Sequence, residues 1–194
     1  MGTLFPHVPR LTRRGLLASA GAGAALALAG CDNSLGSNGA ARIDRRVDAT
    51  REFLFQTYPN TQELEEKSSG QLYMPLVTEV GFGIGGSYGT GALRVGGATV
   101  DYYAAISATV GFQAGAQQYA HALFFMTPDA LRRFRTSPGW SVGGDARYAV
   151  IDRGGNISAD TLTALDPVIA LIFAQSGLIA GATLEGTKYQ RIIP

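Results

Sequence analysis

From residue 42 onward the apolar positions recur first at helical spacing and then in alternation, and that change divides the chain. Ile43, Val47, Leu54 and Tyr58 fall near one stripe of a helix over residues 42–58, which Pro59-Asn60 stops. Residues 61–67 read as a second, short helix. Thr61 is its expected cap, and Glu63, Glu65 and Glu66 form a solvated face that also compensates the dipole. From Leu72 on, tyrosine and β-branched residues come in short runs punctuated by glycine, the texture of strands. The runs 123–126 (LFFM) and 168–173 (VIALIF) are continuously apolar, as strands buried on both faces are. Between them Thr127 caps a brief helix with Pro128 at its first position. Residues 145–151 and 183–193 complete the strand candidates. Strand runs joined by short glycine-rich turns leave no room for parallel crossovers. The expected fold is therefore α+β and mainly antiparallel β. It is a curled, barrel-like, glycine-rich sheet with two N-terminal helices and one inserted short helix near 128–136.

A glycine-apolar pattern recurs at Gly81–Gly85, Gly111–Gly115 and Gly177–Gly181, at unequal offsets that exclude a solenoid. In the first copy positions 81, 83, 85, 89 and 91 are glycine and 87 is Ser. Alternate residues share a strand face, so one face there carries almost no side chains. Such a lane is expected where another backbone or a helix lies almost flush against the strand, or where the strand bends sharply and the sheet curls on itself.

Upstream, Arg13-Arg14 precede an apolar run from Gly15 to Gly30 that ends in Leu28-Ala29-Gly30-Cys31. A charged head, an apolar middle and small residues before a cut form an export signal, and the arginine pair fits the twin-arginine route. The run is shorter than the roughly 20 residues a spanning helix needs. Leu-Ala-Gly-Cys resembles the bacterial lipobox, which implies a lipidated Cys31 at the mature N-terminus. Residues 1–30 are then signal, 31–41 a small polar tether and 42–194 the folded domain. Asp32, after the cysteine, resembles the inner-membrane sorting rule of enteric bacteria.

Composition narrows the function classes. Residues 1–30 hold three arginines and no acid, so the remaining 164 residues carry 13 basic and 15 acidic side chains. That balance lacks the basic excess of a nucleic-acid binder. Cys31 is the only cysteine, which excludes an internal disulfide framework and a cysteine metal site. His121 is the only histidine after the signal, too few converging ligands for zinc.

Two motifs carry candidate chemistry. Gly81–Gly86 matches GxGxxG with Asp101 twenty residues on, but the fingerprint works only when a helix follows, and the residues after it read as strand. Gly85-Gly86-Ser87-Tyr88-Gly89 fits GxSxG, which needs a strand-to-helix turn and a histidine. Ser87, His121 and Asp101 or Asp145 form the enzymatic alternative; a permissive glycine cluster accounts for the match without chemistry. Arg42, Arg45, Arg46 and Arg51 on the first helix are candidates for anionic head groups, although Asp44, Asp48 and Glu52 leave that segment only weakly basic. The alternative is an ordinary helix packed on the sheet, and Arg132, Arg133 and Arg135 pose the same choice.

Three stretches together resemble the SYLF family, a lipid-binding domain also described as a yeast actin-regulator domain. They are Gly70–Pro75 leading into VGFGIGGSYGTGALRVGG from Val80, then YYAAISATVGFQAGAQQYAHALFFMTPDALRRF from Tyr102 with Gly139-Trp140, and SGLIAGATLEGTKYQRI from Ser176. The resemblance implies a non-enzymatic domain over about residues 42–194, with no catalytic residues and no cofactor. It also implies membrane binding as in eukaryotic relatives, which bind phosphoinositide membranes in part through an N-terminal amphipathic segment; bacterial lipoprotein relatives have no settled role. With the export signal, the expectation is an envelope lipoprotein, anchored to a membrane and facing the periplasm. Its partners would be membrane lipids, anionic phospholipid or phosphoinositide-like. A structural or envelope-protein-binding role without lipid recognition is the alternative.

Overall fold

A computed structural model of the chain describes residues 38–142, 146–150, 166–177 and 184–194. Asn38–Pro194 forms one compact unit. Helix α1 runs over Gly39–Thr57 and α2 over Asn60–Lys67; β1 is Gly70–Val95 and β2 is Ala98–Phe125. Then follow α3 (Pro128–Thr136), β3 (Trp140–Ser141), β4 (Ala146–Val150), β5 (Val168–Gly177) and β6 (Lys188–Ile192). The class is α+β, mainly antiparallel, with a curled sheet.

Helix α1 begins at Gly39, so the last three residues of the expected tether are helical. Ile43, Val47 and Leu54 are its buried stripe. Thr61 does not cap α2. It sits inside the first turn, fully buried, and its hydroxyl donates to the Tyr58 carbonyl at 2.7 Å. At α3 the expectation holds, for Thr127 Oγ1 accepts from the Ala130 amide at 3.2 Å.

Strands β1 and β2 form one long hairpin, in register from Gly70↔Phe125 to Val95↔Ala98. Its two-residue loop is Gly96-Gly97, at φ +58° and +82°. Positive φ at both positions matches the right-handed strand twist, and glycine adopts it without steric cost. The far edge of β2 then pairs with β6 over Tyr102–Ile106 and with β5 over Gln117–Phe125. Strand β3, a pair of residues not expected from the sequence, joins β6.

One pairing departs from antiparallel order: β4 runs parallel to β5. Seventeen residues separate them, and a parallel pair needs a crossover of a dozen or more. The expected strand over 145–151 appears as Ala146–Val150, with Asp145 and Ile151 outside the described residues. That over 183–193 shortens to Lys188–Ile192 because the Thr187 amide turns back to the Leu184 carbonyl at 3.0 Å.

Along residues 70–74, 119–125 and 168–173 the sheet buries both faces. On one, α1 and α2 cover Tyr73, Ala92, Ala122, Phe124, Ile169 and Leu171. Inside the curl, Leu72, Met74, Leu93, Leu123 and Ile172 meet Phe134 of α3, Trp140 and Tyr189. This explains the continuously apolar runs, since alternate residues feed different cores.

The glycine lane splits in two. A Cβ on Gly91 would fall on the Tyr73 carbonyl oxygen, and one on Gly89 would lie 2.7 Å from the Leu76 carbonyl oxygen. There β1 curls so tightly that its second half lies against its first, as the lane predicts. Gly83 does not follow. Nothing lies within 4 Å of a Cβ there, and its backbone is at φ +76°. At that point β2 carries two extra residues, the register passing from Phe82↔Ala114 to Gly83↔Gly111. Gly83 is required by conformation at a bulge, not by close approach.

Candidate functional site

The first helix is pinned to the hairpin by its acids. Asp44 accepts from Thr99 Oγ1 at 2.9 Å and from the Tyr102 hydroxyl at 2.8 Å. Asp48 pairs with Arg94 at 2.6 Å. Burial, then the Asp44 carboxylate, pushes the Tyr102 phenol up to about 12. Of the four arginines proposed for lipid contact, Arg51 is already engaged. It grips Glu65 of α2 with Nε and Nη2 at 2.6–2.9 Å and lies 4.5 Å over the Phe55 ring. Glu65 also accepts from the buried Tyr73 hydroxyl. Burial, with Glu65 adding to it, drives that phenol far above its ordinary value, and the pairing with Glu65 raises the Arg51 guanidinium. Glu65 is thus a bracket between α1, α2 and β1, a correction to its reading as a solvated glutamate. Arg42, Arg45 and Arg46 remain exposed on the turns nearest the start of the helix.

The enzymatic constellation is not assembled. The segment matching GxGxxG and GxSxG lies inside β1, and no helix follows it. The Ser87 and Ser107 hydroxyls bond each other at 2.7 Å across the hairpin. His121 is fully buried, with Nε2 on the Tyr189 hydroxyl at 2.8 Å and Nδ1 unpartnered among the described residues. Burial lowers its pKa to about 3, far from the near-neutral value of a working general base. Asp101 accepts instead from Arg135 and Arg191. No group of three or more potential metal ligands occurs among the described residues. Cys31, Arg13, Arg14 and Asp145 lie outside them.

A surface not anticipated from the sequence is an apolar strip on the outer face of β1. Phe82 is 87% and Ile84 76% exposed, with Val80 and Tyr88 also outward. The signal was in the same pattern as the glycine lane. If the odd positions carry no side chains, the even positions 80, 82, 84 and 88 are Val, Phe, Ile and Tyr, all on the opposite face. Among the described residues no helix is long and apolar enough to cross a membrane.

A curled-sheet domain with a helix pinned by its acids, an exposed basic turn and an outward apolar strip has the build of a binding module. The comparisons agree with that class. The family model Ysc84, described as Las17-binding protein actin regulator, matches residues 106–191, so this stretch of the chain is similar to the Ysc84 (SYLF) domain family. No curated protein matches the chain.

Proposed function

We propose that this chain is an envelope lipoprotein, exported by the twin-arginine route and anchored through Cys31, whose SYLF domain binds anionic lipid surfaces without enzymatic activity. The observation carrying this reading is the sorting of charge on α1. Its acids Asp44 and Asp48 are spent on Thr99, Tyr102 and Arg94, while Arg42, Arg45 and Arg46 face outward. Over its first two turns the outer face of the helix is therefore more basic than its whole composition, which also counts the exposed Glu52 further along. The tether ends at these arginines, which keeps them close to any membrane that holds Cys31. The family description names Las17 binding and actin regulation; a chain exported to an envelope would not meet actin, so the lipid reading rests on the charge of α1.

Co-sedimentation of residues 38–194 with vesicles tests this. Each arginine near an anionic surface contributes about 1 kcal/mol. Arg45→Gln with Arg46→Gln should weaken binding to phosphatidylglycerol vesicles about 30-fold and leave phosphatidylcholine vesicles indifferent. Equal sedimentation of parent and variant would overturn the reading. The outward strip of Phe82 and Ile84 favours a second reading, an envelope protein partner docked on β1. Loss of a co-purifying envelope protein in Phe82→Ser, with vesicle binding intact, would select it.

A further inference from the structure

The geometry points to a binding groove between α3 and β6 for a monoanionic amphiphile, an oxyanion carried at the end of an apolar chain. The groove encloses about 550 Å³, with Ser69, Pro128, Leu131, Arg132, Arg135 and Arg191 on its walls. That volume lies within the range of small-ligand sites, roughly 300–1,000 Å³. A second cavity adjoins it and shares Arg135 and Arg191.

Charge and donors argue for the ligand. Asp101, only 11% exposed, accepts from Arg135 Nε at 2.9 Å and from Arg191 Nη1 at 3.3 Å. One carboxylate thus orients two guanidiniums, and each keeps further N–H donors, since a guanidinium has five. Arg132 is matched by Asp129 at 2.9 Å. Among the described residues three arginines against two aspartates leave the groove at +1, which one negative charge neutralises. Arginine forks suit carboxylate and phosphate oxygens, which they bind bidentately. Next to them the Tyr103 hydroxyl is buried and makes no hydrogen bond among the described residues, although Tyr103 lines the adjoining cavity with Arg135 and Arg191. An idle buried hydroxyl is costly, and a ligand oxygen or its bridging water would satisfy it.

The apolar end has its own seat. Leu131 and Pro128 present hydrocarbon to the groove. Leu131 is held against Gly70, where an added Cβ would lie only 3.1 Å from both of its terminal methyls. A free anion lacks the group that would use this wall, and an uncharged chain lacks the charge.

The test is calorimetric titration of the full chain carrying Cys31→Ser with octanoate, with acetate and 1-octanol as single-feature controls. Octanoate should bind at least tenfold more tightly than either control. Arg191→Gln, at a side chain 63% exposed, should keep the melting temperature yet weaken octanoate tenfold or more. Arg132→Gln, also exposed, serves as a second variant with the same expected direction. Phosphatidylglycerol vesicles separate the sources of the chemistry. If Arg191→Gln also loses vesicle binding, the amphiphile is a lipid head group with its proximal chain; if vesicle binding is unchanged, it is a free amphiphile. No octanoate binding, equal binding of octanol, or octanoate and vesicle binding indifferent to both arginine variants would overturn the proposal.

Discussion

Gly91→Ala adds a single methyl group at the place where β1 folds back on itself. That methyl would land on the Tyr73 carbonyl oxygen and 2.5 Å from Met74 Sδ. Met74 has rotamers with which to yield, but the Tyr73 carbonyl belongs to a fully buried strand, so the two halves of β1 must separate. Overpacking a tight core costs about 1–3 kcal/mol, and more where backbone moves; about 3 kcal/mol is expected here. At about 2–4 °C per kcal/mol for a chain of this size, the melting temperature should fall by about 6–12 °C. Gly83→Ala supplies the contrast. It meets open space but a left-handed backbone, which costs an alanine about 1–2 kcal/mol. Gly83→Asn should cost less, because asparagine tolerates that conformation, and Gly83→Val more, because a β-branched residue does not. Thermal melts by circular dichroism decide the matter. A Gly91→Ala protein melting within about 2 °C of the parent would refute the close-approach account, and equal melts for Gly83→Asn and Gly83→Val would refute the conformational one.

Three further outcomes are expected, one from the described residues and two from the proposed export signal. His121 is lowered to about 3 by burial, so the unfolded chain takes up its proton near pH 6.5 while the folded chain does not; stability should be full above that pH and fall by about 1.4 kcal/mol per unit as pH drops. Denaturant melts between pH 6.5 and 5 should show this slope in the parent and not in His121→Gln, and identical slopes would refute it. Labelled fatty acid should enter the wild-type protein and not Cys31→Ser, and Arg13→Lys with Arg14→Lys should keep the precursor unexported; unlabelled wild-type protein would refute lipidation at Cys31.

Local and periodic features were legible in the sequence because each depends on neighbours a few residues away. The stripe of Ile43, Val47 and Leu54, the Thr127 cap and the doubly buried runs of β2 and β5 are of this kind. Features set by distant partners were not. Nothing near Glu65 announces that Arg51 and Tyr73 will claim it, and nothing near Asp101 announces two arginines from α3 and β6. The parallel pairing of β4 with β5 likewise depends on a crossover that strand periodicity does not encode. Gly83 and Gly91 look alike in sequence because both break the alternation with a missing side chain. Only the fold separates a glycine needed for space from one needed for its dihedral angle.

Strand β2 has a further consequence for how the domain opens. It bonds β1 along one edge and both β6 and β5 along the other, and its side chains enter both cores. No partner strand can leave without exposing a face of β2, and β2 cannot loosen without releasing three neighbours. Its amides around Ala122–Phe125 therefore belong to the last cooperative unit to open, and their exchange with solvent should report global unfolding. The two-residue Gly96-Gly97 link makes β1 and β2 close in sequence as well as in space, so this spine can zip from its own turn, at low cost in loop entropy, before the more distant strands arrive.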